Sequence, residues 1–176
     1  EDNRSSDYWL LDDLASRTID DRLAYMKKWA HLREGGLDFY TRFADDVIQL
    51  HDDDGDGRPD ARRHFAGPFD DVLDGTGAGL LEVDGDIWYT IIPKLWRLRD
   101  QDDDGVAEIQ TVLHDGFGVR FALRGHDLHG LAKGPDGRIY WSVGDRGYHV
   151  TQTDGSVLAD PHSGAVFRCE PDGSDL

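Results

Sequence analysis

Asp52-Asp53-Asp54-Gly55-Asp56-Gly57-Arg58-Pro59-Asp60 and Asp100-Gln101-Asp102-Asp103-Asp104-Gly105-Val106-Ala107-Glu108 decide how the chain is read. Both fit the pattern D-x-D-x-D-G-x-x-D, the second with Glu in the last place. The residues that lead into them also correspond. Ile48-Gln-Leu-His-Asp52 and Trp96-Arg-Leu-Arg-Asp100 stand 48 residues apart, and at the same offset Gly57 matches Gly105, Asp60 matches Glu108 and Phe69 matches Phe117. A repeat of roughly 40–50 residues holding about four short strands is the spacing of a β-propeller blade.

Outward from these stretches the chain reads as β structure. Segments 47–50, 87–91, 95–99, 108–113, 138–143 and 165–169 are short, apolar or alternating, and set apart by Gly, Pro and Asp turns. The expected fold is mainly β, a partial β-propeller of about three blades, over residues 37–176. Propellers need at least four blades, so the ring should be closed by remaining blades or by a partner chain. Residues 1–36 read as an N-terminal helical segment packed on the blades as a lid or plug. Thr18 and Asp21 have the spacing of a capping box. Ile19, Leu23, Met26 and Ala30 follow at helical intervals with Trp29 beside them, and Gly35-Gly36 stops the run. A shorter helix is expected around residues 9–15.

The chemistry of the two acidic stretches explains their spacing. Carboxylates at positions 1, 3 and 5 converge on one hard cation as the chain curls, and glycine at position 6 allows the sharp turn. The seventh residue offers its backbone carbonyl and the ninth closes the shell. The expected ligands are Asp52, Asp54, Asp56, Arg58 and Asp60 in one loop, and Asp100, Asp102, Asp104, Val106 and Glu108 in the other. Calcium is favoured over magnesium because it accepts six to eight oxygens in irregular geometry. These are not EF-hands: position 12 holds Arg63 or Thr111 where an EF-hand has Glu, and each loop joins strands. They resemble the calcium-binding hairpin loops of integrin-α propellers. The bland alternative is a pair of acidic Asp-Gly turns without metal.

Charge narrows the partners. Nineteen Lys and Arg against 36 Asp and Glu leave a formal charge of −17, which two divalent ions would bring to −13. Such a surface repels nucleic acid and anionic membranes. No apolar stretch approaches the roughly 20 residues of a membrane span, so insertion by this piece is not expected. Cys169 is alone and forms no internal disulfide. The chain starts at Glu1 without Met or signal peptide, which reads as a processed or excised piece.

A third feature is Gly125-His126-Asp127-Leu128-His129-Gly130, followed by a Gly134-Pro135-Asp136-Gly137 turn and a strand that ends Gly144-Asp145-Arg146-Gly147. His126 and His129, expected before the first strand, could be a base with Asp127 as orienting acid, or part of a metal site. They could equally be histidines hydrogen-bonded at the inner end of a blade.

This segment resembles the soluble quinoprotein glucose and sorbosone dehydrogenases, six-bladed propellers that bind pyrroloquinoline quinone and calcium. In that family a catalytic His lies eight residues before the Gly of a Gly-Pro-Asp turn, and His126 lies eight before Gly134. The resemblance implies that His126 is the general base that takes a substrate hydroxyl proton, with Asp127, His129 and Arg146 lining the site. Arg120 and Arg124 would contact an anionic cofactor or substrate, since guanidinium forks suit carboxylates; the alternative is surface or packing arginine. A closer likeness covers nearly the whole chain. Trp9-Leu-Leu-Asp-Asp-Leu-Ala-Ser-Arg-Thr18, both Asp loops, Leu73-Asp-Gly-Thr-Gly-Ala-Gly79, Asp86-Ile-Trp-Tyr89 and the run from Gly118 to Gly130 resemble the membrane-bound dehydrogenase family. Its members often add helical repeats and a cytochrome c module.

The resemblance implies oxidation of a sugar or other alcohol, with electrons passed to a quinone or a fused cytochrome. The open calcium-dependent loops, for their part, suit a periplasmic or extracellular setting, where free calcium is plentiful. The departures are equally specific. Gly125 stands where those enzymes carry an acid, and Arg146 replaces a Gln. No Cys-x-x-Cys-His is present, so haem would belong to a separate module. The competing expectation is a non-catalytic, calcium-stabilised propeller that binds a carbohydrate or protein partner, with Trp88, Trp96 and Trp141 either exposed for that purpose or buried as blade core. Gly75-Thr-Gly-Ala-Gly79 reads as a tight turn, because no strand–loop–helix unit surrounds it to make a nucleotide site.

Overall fold

The computed structural model describes residues 7–122 and 125–176. The chain is mainly β, with eleven strands in antiparallel sheets among the described residues and short helices at the N-terminal end. A 3-10 turn at Asp7–Trp9 leads into α1 (Leu10–Ala15), followed by α2 (Ile19–Trp29) and a 3-10 turn at Ala30–Leu32. The one-turn α3 (Asp38–Thr41) comes next, so strand structure begins at Asp45, within the region expected from residue 37 onward.

α2 starts where the capping box places it. Thr18 Oγ1 accepts from the Asp21 amide at 3.1 Å, and the Thr18 amide donates to Asp21 Oδ2 at 3.0 Å. The buried face is not the expected stripe, however. Arg22, Tyr25 and Met26 are buried, while Ile19, Leu23 and Ala30 are only partly so. The cause is polar. Arg22 Nη1 donates to the carbonyls of Gly118 (3.0 Å) and Arg120 (3.4 Å), and Nη2 donates to that of Leu73. Asp13 works from the neighbouring helix, accepting from the Tyr25 hydroxyl and the Phe121 amide, both at 2.7 Å. The helices are thereby hydrogen-bonded to two β-body segments as well as packed on them through Trp9, Tyr25, Met26 and Phe121.

β1 (Asp45–His51) pairs with β2 (Ala61–Phe69) as a hairpin across the first acidic loop. β3 (Gly77–Val83), β4 (Asp86–Ile91), β5 (Lys94–Arg99) and β6 (Ile109–Asp115) form a four-stranded meander, and β5–β6 is the hairpin across the second acidic loop. β7 (Leu128–Lys133), β8 (Ile139–Val143) and β11 (Ala165–Cys169) make a three-stranded sheet in the order β11-β8-β7. β9 (Tyr148–Thr151) and β10 (Val157–Asp160) form a separate hairpin.

The meander is covered on both faces, as the alternation of its strands requires. Trp88 and Leu95 turn into one core with Leu128, Ile139, Trp141 and Phe167. Tyr89, Ile91 and Leu98 turn into the other with Val47, Phe65 and Phe69. Trp88 and Trp141 are fully buried and Trp96 is half-buried, so the first two serve as core and not as a recognition surface. Cys169 is buried too, and burial pushes its thiol up to about 12. No helix among the described residues is long and apolar enough to cross a membrane.

Candidate functional site

The two acidic loops close in the same way. In the 52–60 loop the Gly57 amide donates to Asp52 Oδ2, Asp56 to Asp54, Arg58 to Asp56 and Asp53 to Asp60, at 2.8–3.1 Å. In the 100–108 loop the same four positions bond: Gly105 to Asp100 Oδ2, Asp104 to Asp102, Val106 to Asp104 and Gln101 to Glu108, at 2.8–3.2 Å. Position 6 needs glycine in both, with φ of +84° at Gly57 and +89° at Gly105. This folding turns the carboxylates inward. Asp100, Asp102, Asp104 and Glu108 each bring one oxygen within 4.8 Å of the others, as do Asp52, Asp54 and Asp60. Asp56 is outside that second group, and Arg58 and Val106 occupy the seventh positions.

The loops differ in their seats. The first is exposed throughout. The second leans on the β1–β2 hairpin: Arg63 Nη1 donates to the Asp104 carbonyl at 2.6 Å, and the Ala107 amide donates to Phe65 O at 2.7 Å. Ala107 is buried in the core beside Val47 and Phe65. A Cβ on Gly105 would lie 2.6 Å from Gln49 Oε1, so the loop and the hairpin meet without room for a side chain. Asp100 Oδ1 is buried and has no hydrogen-bond partner among the described residues. A buried carboxylate oxygen without a donor is costly, and three exposed carboxylates crowd the same residue. An all-oxygen donor set of this composition fits a hard divalent cation such as calcium.

The histidine segment is assembled from separated strands. The Gly144 amide donates to His126 O at 3.1 Å, which sets the residues before β7 against the turn after β8. His126 Nδ1 then lies 2.8 Å from Asp145 Oδ1. Arg146 reaches the same oxygen through Nε at 3.0 Å and Nη2 at 2.9 Å, and its Nη1 donates to Phe121 O at 3.5 Å. Partial burial works to raise the Asp145 carboxyl, but the hydrogen bonds from His126 and Arg146 outweigh it and hold the group below the usual carboxylate range. With Nδ1 donating to Asp145, the lone pair of the neutral imidazole is on Nε2, and the side chain is half-exposed.

The remaining expected residues are placed elsewhere. Asp127 is buried and faces a cavity beside Arg22, so the carboxylate that meets His126 is Asp145. His129 lies within β7, not before it, where its ring is 3.5 Å from the Ser142 hydroxyl. Arg120 Nη2 lies 2.7 Å from His162 Nδ1, and Arg124 is outside the described residues. Asp145 was visible in the sequence only as part of a turn, and nothing short of strand pairing would bring it to His126. For a quinone carboxylate these residues gather no cradle: Asp145 takes up the guanidinium of Arg146, and His162 faces that of Arg120.

The family described as a domain of unknown function, DUF7133, matches residues 23–176. The chain belongs to the DUF7133 family. The match begins inside α2 and takes in both acidic loops and the His126 segment, so all of these lie within the DUF7133 region. No curated protein and no solved structure matches this DUF7133 chain.

Proposed function

We propose that the chain is the calcium-binding part of a β-propeller, in which each acidic loop pins a hairpin tip around one Ca²⁺. The observation that carries this reading is the pair of loops with the same four internal hydrogen bonds, one of which holds an unpartnered buried oxygen at Asp100. The strand arrangement supports the propeller. The meander β3–β6 has the four antiparallel strands of a blade, β1–β2 would be the outer pair of the blade before it, and β7–β8–β11 three strands of the one after. The first strands of the last two lie together, since a Cβ on Gly79 of β3 would be 3.8 Å from the Gly130 amide of β7. The missing strands would come from remaining blades or a partner chain. An extracellular or periplasmic setting suits open calcium loops of this kind.

The activity we propose is oxidation of a sugar or other alcohol, as in the membrane-bound and soluble quinoprotein dehydrogenases that the sequence resembles. Oxidation of an alcohol to a carbonyl removes a hydride and a proton. His126 is the base for the proton, and Asp145 stabilises the imidazolium that results. Asp145 is in turn neutralised by Arg146, which fixes its position. The hydride would go to a quinone held largely by other parts of the protein, and a fused cytochrome would take the electrons on from it one at a time.

A second reading is favoured by one observation: Arg120 and Arg146 are already engaged, as in a scaffold with no anionic cofactor. On that reading the chain is a non-catalytic, calcium-stabilised module. Redox-dye turnover with added quinone and Ca²⁺ separates the two. The enzyme reading expects turnover that drops at least about a hundredfold in His126→Ala. Absence of turnover in the intact protein, or turnover unchanged by that substitution, leaves the binding module.

A further inference from the structure

Between the N-terminal helices and the β body lies a cavity of about 210 Å³. It is smaller than the roughly 300 Å³ at which drug-sized ligand sites begin, so it has room only for a small molecule. Its polar lining is acidic: Asp45, Asp70, Asp71, Asp74 and Asp127 face one cation among the described lining residues, Arg22. Lys94 offsets part of this, 2.9 Å from Asp74. Five aromatic side chains also line it, Phe39, Tyr40, Phe69, Phe121 and Phe43, the last at 80% exposure. Phe39 and Phe43 already receive a cation, since the Arg42 guanidinium lies 5.8 and 5.7 Å from their ring centres.

Carboxylates and aromatic rings lining one cavity are surroundings that attract an organic cation, through charge and through the ring quadrupole. Arg22 adds a second requirement. It is 1% exposed, and its Nε is buried with no partner among the described residues. An acceptor oxygen on the ligand would satisfy that donor.

We propose that this cavity binds a small organic ammonium ion that also carries a hydroxyl group. The ammonium sits between the carboxylates and the aromatic wall, and the hydroxyl oxygen accepts from Arg22. This goes beyond the calcium and dehydrogenase readings and stands or falls separately from them, because neither acidic loop lines the cavity.

The test is calorimetric titration of the calcium-saturated protein with choline and with ethanolamine. Each is compared with its neutral analogue: the alcohol in which tert-butyl replaces trimethylammonium, and propanol. At least one cation is expected to bind, with its neutral analogue at least about tenfold weaker. Asp71→Asn and Phe43→Leu, both at exposed residues, should each weaken that cation several-fold while the melting temperature and the calcium response stay unchanged. Equal binding of charged and neutral partners, or no binding of either cation, overturns the proposal. So does affinity that both variants leave intact, which would place the ligand elsewhere.

Discussion

Replacing Arg22 with alanine should detach the helices from the β body at large cost. The side chain is 1% exposed and sits 96 residues from the Gly118 carbonyl it binds at 3.0 Å. Burial pulls its pKa below the ordinary arginine value, yet the group stays charged, because the guanidinium is basic enough to absorb that shift. Two of its carbonyl contacts, to Gly118 and Leu73, are close, and the third, to Arg120, is long at 3.4 Å. A hydrogen bond from a charged donor contributes roughly 1.5–3 kcal/mol, so the two close ones together contribute about 3–6 kcal/mol. The loss takes a large share of the roughly 5–15 kcal/mol of a typical domain. In a chain of this size it corresponds to a fall in melting temperature of roughly 6–24 °C. Urea unfolding followed by tryptophan fluorescence measures it. Arg22→Lys keeps the charge but has one nitrogen where two are used, and should recover only part of the loss. A change below about 1 kcal/mol in Arg22→Ala would refute the view that these bonds hold the helices.

Other consequences can be checked in the same way. Gly105→Ala forces a left-handed backbone on a side chain and pushes a methyl onto Gln49 and Arg63, so stability should drop by about 1–3 kcal/mol, and calcium should restore less of it than in the parent. Trp88→Ala, which empties the centre of the larger core, should cost about 3–5 kcal/mol in denaturant unfolding. His114 is half-buried, donates through Nε2 to Gly173 O at 2.9 Å and has its pKa lowered by desolvation. The unfolded chain therefore binds a proton here before the folded one does, and this contribution to stability is lost as pH falls from about 6.5 through the depressed folded value. His114→Gln should flatten stability between about pH 7 and pH 5; an unchanged slope would contradict the assignment.

What could be read from the sequence was whatever depends on neighbours along the chain. The capping box of Thr18 and Asp21, the hairpins around both acidic loops, and the strands near 86–91, 94–99, 139–143 and 165–169 follow from local spacing and turn chemistry. β3 was hidden because it begins Gly77-Ala78-Gly79, which looks like a turn. The glycine is there because a Cβ on Gly77 would strike the Tyr89 hydroxyl 1.7 Å away. Arg22 was hidden for the opposite reason. A charged residue on a helix is normally solvated, and only carbonyls contributed by residues 73 and 118 make its burial tolerable. At the histidine segment the chain order suggested Asp127 as the partner of His126. Asp127 is instead buried, while the Gly144 amide holds the His126 carbonyl against the turn after β8 and so brings the His126 ring to Asp145.

The central claim is that hard oxygen ligands at two hairpin tips each enclose a divalent ion. Demetallated protein titrated with Ca²⁺ in a calorimeter tests it, with melting recorded before and after. The account predicts two bound equivalents and, at a hundredfold excess over each dissociation constant, about 2.7 kcal/mol of added stability per site, or roughly 5–11 °C in melting temperature. Asp100→Asn should remove one equivalent and leave the other. No heat on titration, together with a melting temperature that neither Ca²⁺ nor chelator moves, would contradict it.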